Sequence, residues 1–256
     1  VAKSFKKNIV YVKTNLGFEV TNKYASWGDF CYGPAIASVM LLMSEEYDTC
    51  FMPACNDYSV LVPRGSHILI DHLWNCDGVK FIYDGAEASR IEKVDFISDN
   101  KEVQKNLRVC YTSRDEYNCC ECEKCIRTMA SIEALGKTGL IKTFPKKLDI
   151  NEMDHIVLKN EPEMRFAEST MQVALKNKKI DLANHIHNQI INYRANLLFE
   201  ELNRDFDVIA NSDNFVDQTS KILNWHIRNN TKYVFRKTLK MIAKKSVAFI
   251  KKDKVS

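Results

Sequence analysis

The sequence predicts an α/β protein with a parallel sheet flanked by helices, a zinc-binding loop and an all-helical C-terminal region. Short runs of β-branched and aromatic residues alternate with helical patterns in the first part of the chain, as is typical of a parallel sheet. Residues 163–256 contain no glycine, proline or cysteine. Because glycine and proline mark turns, this stretch is predicted to be mostly helical. We therefore expect an α/β domain at 1–147 and a helical region at 148–256.

The individual elements are predicted from the apolar pattern of each segment. In the first domain we expect strands at 8–13, 49–53, 80–84 and 107–110, and helices at 33–44, 88–106 and 123–135. In the second region we expect three or four helices, within 163–176, 179–201, 212–229 and 231–251. Pro145 and Pro162 bracket the polar connector between the two parts.

The composition excludes several classes of protein. Of the 256 residues, 45% are hydrophobic and 27% charged, which is ordinary for a globular protein and not for a disordered, collagenous or disulfide-scaffold chain. No apolar run approaches the roughly 18 residues of a membrane span, and the N-terminus has no apolar signal-peptide core. We therefore expect a cytoplasmic location.

Positive charge is concentrated at the C-terminal end. Residues 232–256 carry nine Lys or Arg against one Asp, a net +8, which leaves −4 for the rest of a chain whose total is +4. Apolar residues are interleaved with these charges, so the segment is predicted to form an amphipathic basic helix. Peripheral contact with an anionic membrane surface or a partner is one interpretation, and a solvated terminal helix is the other.

A cluster of cysteines gives the most specific signal. Cys110, Cys119, Cys122 and Cys125 follow a Cys-x8-Cys-x2-Cys-x2-Cys spacing. Four sulfur ligands suit a tetrahedral structural zinc and leave no open coordination position. An iron–sulfur cluster and a metal-free loop are the alternatives. Cys120 is expected to point away, although it is an alternative ligand to its neighbour.

The remaining cysteines have no ligand-like spacing. The total of nine is odd and no secretion signal precedes them, which indicates a reducing compartment. We expect these four to be buried free thiols without a role: Cys31, Cys50, Cys55 and Cys76.

Two polar stretches next to predicted strand ends are candidates for binding a small-molecule substrate. The first contributes Arg64, Ser66, His67 and Asp71; the second contributes Asp84, Glu87, Arg90 and Lys93. Ligands of open α/β sheets bind at the carboxyl ends of the strands. Basic side chains there suit phosphate or carboxylate groups, and acidic ones suit a magnesium ion or a substrate amine. Ordinary helix pairing or a structural histidine is the alternative.

These motifs resemble those of the PP-loop ATP pyrophosphatase superfamily, in particular its 7-cyano-7-deazaguanine synthase branch. That enzyme has the same cysteine spacing after its last core strand. Three segments are also similar to an uncharacterised bacterial group often associated with surface-polysaccharide genes. They are Arg64-Gly-Ser-His67-Ile-Leu-Ile-Asp71, Tyr83-Asp-Gly-Ala-Glu87-Ala-Ser-Arg90-Ile-Glu-Lys93, and 118–129. The resemblance covers roughly 8–140.

The resemblance implies a PP-loop (HUP-like) fold, ATP and Mg²⁺ as cofactors, and an enzyme that adenylates a small molecule. The Ser-Gly-Gly-x-Asp-Ser loop that binds ATP phosphates in this superfamily is not among the 256 residues. Because the sequence starts without Met and enters a predicted strand at once, we expect it to be N-terminally truncated. The helical region has no counterpart in the deazaguanine enzyme, so the resemblance does not indicate that this chain acts on the same substrate.

The sequence therefore supports two alternative functions. The first is an AMP-forming ligase or amidotransferase-like enzyme with structural zinc. The alternative is a catalytically inactive, zinc-stabilised interaction module with a basic tail that faces a membrane or partner. Nucleic-acid binding by the cysteine loop is disfavoured, because acidic residues flank it: Asp115, Glu116, Glu121 and Glu123.

Overall fold

The computed structural model of the chain describes residues 1–17, 23–113 and 115–209, and, beyond these, 221, 224, 226, 228, 234 and 236–240, without the side chains of 154, 155 and 206–209. The chain divides into two compact units, Val1–Leu148 and Asp149–Ser256. The first is mixed α/β and the described part of the second is helical. Apart from the single positions named above, the predicted helices at 212–229 and 231–251 and the basic segment 232–256 lie outside the described residues.

A two-stranded parallel sheet forms the centre of the first unit. Strand β1 (Thr49–Pro53) pairs with strand β2 (Lys80–Asp84), so that Pro53 lies opposite Asp84 at the carboxyl ends. Both strands occur where the sequence predicted them. Buried residues of the strands and of the position before β2 pack with a residue of helix α1 (Tyr32–Leu41) in one apolar cluster: Ala37, Cys50, Met52, Val79 and Phe81.

The described part of the first unit also has four α-helices: α1 (Tyr32–Leu41), α2 (Arg90–Ser98), α3 (Lys101–Asn106) and α4 (Glu123–Ala134). The prediction of one helix over 88–106 was wrong, because Asn100 interrupts it. The Asn100 side chain accepts hydrogen bonds from the backbone N–H groups of Glu102 and Val103 and so starts α3. Asparagine favours such a cap over a helix interior.

Two of the predicted strands were wrong. Residues 8–13 are not a strand and all are exposed, so their β-propensity is not supported by a partner strand within the described residues. Residues 107–110 are extended but make no sheet pairing. Their backbone instead binds the side chain of Asn118, as described below.

The second unit is built on two long helices, α5 (Glu161–Lys176) and α6 (Ile180–Ile209). Asn160 caps α5 by accepting a hydrogen bond from the Glu163 N–H, and the helix therefore begins two residues before its predicted start. An ion pair of 2.5 Å between Arg194 and Glu168 joins the two helices. Among the helices of the described residues, none is both long enough and apolar enough to cross a membrane.

Candidate metal centre and sheet-edge cleft

The four predicted ligand cysteines come together in the first unit. The ligand sulfurs of Cys110, Cys119, Cys122 and Cys125 all lie within 4.8 Å of one another. Three Sγ–Sγ distances are 3.6, 3.8 and 3.9 Å. A tetrahedral zinc with Zn–S bonds of about 2.3 Å places its sulfurs about 3.8 Å apart. The four thiols therefore have the spacing to hold a metal ion such as zinc.

Backbone N–H groups point at two of these sulfurs. The Ser113 N–H donates to the Cys110 Sγ over 3.4 Å, and the Cys122 N–H donates to the Cys119 Sγ over 3.3 Å. Backbone hydrogen bonds to the Cys110 sulfur, first from Ser113 and next from Cys119, lower the pKa of the Cys110 thiol to about 6. Burial has the opposite effect on Cys125, whose pKa is raised. The loop thus stabilises thiolate charge on one of its ligands.

Asn118 joins the two ends of the cysteine loop. Its side chain is fully buried, and its Oδ1 accepts hydrogen bonds from the N–H groups of Val109 and Cys110 over 2.9 and 3.2 Å. Its Nδ2 donates to the carbonyl groups of Leu107 and Thr143 over 2.9 and 3.1 Å. Because this side chain occupies backbone groups of 107–110 that a neighbouring strand would bind, that segment forms no sheet.

Cys120 lies outside the group of converging sulfurs. Its φ of 62° is left-handed, and its buried thiol donates to the carbonyl groups of Asn118 and Lys146. Its sulfur therefore points away from the cluster.

A cleft of about 710 Å³ opens at the carboxyl ends of β1 and β2. Three of the predicted substrate-binding residues line it, namely Asp84, Glu87 and Lys93. The other lining residues are Pro53, Ala54, Gly85, Ala88, Glu92 and Phe96. Its position is the one at which open α/β sheets bind ligands.

Ser66, His67 and Asp71 make bonds inside their own loop. Asp71 is fully buried and accepts from the Ser66 hydroxyl over 2.5 Å and from the His67 N–H over 3.1 Å. The His67 Nδ1 accepts from the Leu69 N–H. These contacts shape the loop, and none of the three residues lines the cleft.

Arg64 forms an ion pair of 3.6 Å with Asp29. Its loop packs against the first turn of α1, where a Cβ on Gly33 would lie 1.7 Å from the Gly65 carbonyl oxygen. Only glycine at position 33 permits that contact. The loop thus has a defined position on α1.

Arg90 begins α2 and faces α4. Burial, and next the charge of Arg127, lowers the pKa of Arg90 to about 10. Arg127 itself pairs with Glu123 over 3.1 Å. Arg90 is not among the residues that line the cleft. It lies where α4, which follows the cysteine loop, meets α2, which lines the cleft.

Several residues near the cleft were not predicted as site residues. The hydroxyl of Tyr32 lies 3.2 Å from the Cys55 Sγ and donates to the Ser66 carbonyl, which connects the first polar stretch to the end of β1. Of the four cysteines expected to be buried, Cys50 is buried and Cys31 is half-buried. Cys55, just after β1, and Cys76, just before β2, are exposed, so the expectation was wrong for these two. The sequence did not indicate that Phe96 lines a cleft, since a single aromatic residue on an amphipathic helix is ordinarily a core residue.

Comparisons with protein-family models, with curated proteins and with solved structures find no match for this chain.

Proposed function

We propose that the chain is the zinc-stabilised, substrate-binding part of an ATP-dependent, AMP-forming ligase that acts on a small molecule. The observation that carries the proposal is the cysteine arrangement. Its spacing resembles that of the 7-cyano-7-deazaguanine synthases, and its sulfur distances fit tetrahedral zinc. The cleft at the sheet edge supports the same proposal, since it gathers motif residues of the second polar stretch.

In this proposal the zinc has a structural role. Cys110, Cys119, Cys122 and Cys125 would hold it, and four sulfur ligands leave no position for substrate. Cys122 caps the N-terminus of α4, and α4 packs on α2 through Val94 and Ile132. The metal would therefore fix the helix that supports one wall of the cleft.

The reaction proposed is adenylation followed by substitution. A carboxylate or carbonyl oxygen of the substrate attacks the α-phosphorus of ATP and pyrophosphate leaves. A nitrogen or sulfur nucleophile then displaces AMP. The residues of this chain are assigned substrate binding at Asp84, Glu87 and Lys93. The 256 residues contain no phosphate-binding loop of the superfamily pattern, so the ATP phosphates are assigned to none of them.

The test is release of pyrophosphate and AMP by the complete gene product, supplied with ATP, Mg²⁺ and a panel of small carboxylic acids. We expect equal amounts of both products with a cognate acid. Asp84→Asn and Lys93→Met should reduce turnover at least about tenfold, because each removes a charge from the cleft. Asp77→Asn and Lys101→Met are matched controls on exposed positions outside the cleft and should retain turnover.

Absence of pyrophosphate release with every acid, in a folded protein with its metal in place, would contradict the ligase assignment. The remaining function would then be the zinc-stabilised interaction module with a basic tail. That alternative is favoured by the net charge of +8 on residues 232–256. Its direct readout is binding of the chain to anionic vesicles, which should weaken as salt is raised.

A further inference from the structure

The charged and aromatic residues that line the sheet-edge cleft limit the chemical class of ligand that it can bind. Its volume of about 710 Å³ lies within the range of small-molecule sites. Helix α2 contributes three of its lining residues from one face, Glu92, Lys93 and Phe96. The Phe96 side chain is 85% exposed, so the cleft presents an open aromatic ring.

Two of the four charged residues in the cleft are already engaged. The Glu92 carboxylate accepts hydrogen bonds from the Ser89 N–H and hydroxyl over 2.7 and 2.6 Å, as part of the cap of α2. The Lys93 ammonium donates to the Ala54 carbonyl over 3.4 Å, which holds it at the end of β1. Neither group needs a ligand to be satisfied.

The other two charged residues are Asp84 and Glu87. Within the described part of the chain, no ion pair or side-chain hydrogen bond is made by either carboxylate, and no ion pair joins them to Lys93. With Glu92 and Lys93 the cleft has three negative charges and one positive charge, so it favours a cation. Asp84 is the last residue of β2 and Glu87 lies in the loop between β2 and α2, whereas Phe96 belongs to α2.

A divalent metal and an organic ammonium group are the two cations that suit carboxylates. Among the described residues, the four cysteines are the group whose ligand atoms converge as a metal site requires, and the carboxylates of the cleft do not converge in this way. An ammonium group needs one or two carboxylates and gains from a neighbouring aromatic face. The exposed ring of Phe96 in the same cleft therefore favours the organic cation.

We propose that this cleft binds a substrate with a protonated amine on a ring-sized apolar body, the ammonium at Asp84 and Glu87 and the body against Phe96. This inference rests on the proposed function only in taking the cleft as the substrate site. The proposed function specifies the type of reaction, and this inference specifies the chemical class of one of its substrates.

The test uses the 256-residue chain without ATP. The probes are phenethylammonium, its carboxylate analogue 3-phenylpropionate, and n-butylammonium, which has no ring; binding is measured by NMR titration at low salt. We expect phenethylammonium to bind in the millimolar range and at least about fivefold more tightly than either comparison probe. The double variant Asp84→Asn/Glu87→Gln should abolish the preference for phenethylammonium over 3-phenylpropionate. Phe96→Ala should abolish the preference for phenethylammonium over n-butylammonium. Asp77→Asn and Phe30→Ala are the matched controls, the Phe30 ring being 68% exposed elsewhere.

Equal binding of the amine and the carboxylate, or a preference that survives the double variant, would overturn the inference. Displacement of the amine by millimolar Mg²⁺ bound at the same two carboxylates would also overturn it and make the cleft a divalent-cation site. Because the titration contains no nucleotide, its outcome is independent of pyrophosphate release. Failure of the ligase assignment and failure of the amine site are therefore distinguishable.

Discussion

At the scale of single residues, Asn118 explains most about how the metal centre is built. One buried side chain binds the backbone of Leu107, Val109 and Cys110 on one side and Thr143 on the other. A buried amide with all of these bonds made gives the loop one geometry, and loss of the amide would leave several buried backbone groups without partners.

We predict that Asn118→Ala lowers the free energy of unfolding of the first unit by about 2–4 kcal/mol. It should also weaken zinc binding by about 10–100-fold, because Cys110 loses the contact that positions it. Chemical denaturation and competition with a chromogenic chelator measure the two effects. Asn8→Ala, on an exposed segment, is the control. Wild-type zinc affinity in Asn118→Ala would show that the cysteines alone determine the site.

The sequence was sufficient to predict which four cysteines converge, but not the roles of the other polar residues. Cysteines at short, fixed separations have few ways to be arranged, so their spacing nearly determines their geometry. The stretch that contains Ser66 and Asp71 has a polar pattern that fits a ligand site and a self-bonded loop equally well. Only the packing of α1 on that loop, at Gly33, distinguishes the two.

At the scale of elements, the turn between α5 and α6 holds a residue in an unfavourable backbone conformation. Lys178 has a φ of 60°, and its N–H donates to the Leu175 carbonyl while the Lys179 N–H donates to the Ala174 carbonyl. These two bonds form a Schellman motif, in which the left-handed position is ordinarily glycine. A side chain there costs about 1 kcal/mol.

We therefore predict that Lys178→Gly raises the free energy of unfolding of the second unit by about 0.5–1 kcal/mol, less than the strain because glycine also favours the unfolded chain. Lys176→Gly, inside the last turn of α5, should lower it by up to about 1 kcal/mol. Thermal and urea unfolding of the two variants measure the difference. Destabilisation by both substitutions would contradict the assigned backbone strain at position 178.

Element predictions succeeded where tertiary structure agreed with local propensity. Segments 49–53 and 80–84 are strands because each has the other as a parallel partner. Segment 8–13 has equal β-propensity but no such partner among the described residues. The predicted helix at 88–106 is divided because Asn100 can bond the following turn with its side chain, which periodicity alone does not reveal.

At the scale of the whole molecule, contacts within the first unit connect the metal centre to the cleft. The cysteine loop begins α4, and α4 packs against α2, which lines the cleft. Lys137, just beyond α4, adds ion pairs of 2.7 and 2.8 Å to Asp95 and Asp99. A metal at the four thiols would thus stabilise the α2 wall of the cleft without lying in the cleft itself.

Metal content and thermal unfolding of the purified chain, measured with and without a chelator, test whether a metal stabilises the first unit. We expect about one zinc per chain. Removal of the zinc, or Cys122→Ser, should lower the Tm of the first unit by more than about 10 °C, because metal binding and folding are coupled. Cys76→Ser, at an exposed cysteine outside the cluster, should leave both values unchanged. An unchanged Tm after verified removal of zinc would contradict the central claim that the metal holds this domain together.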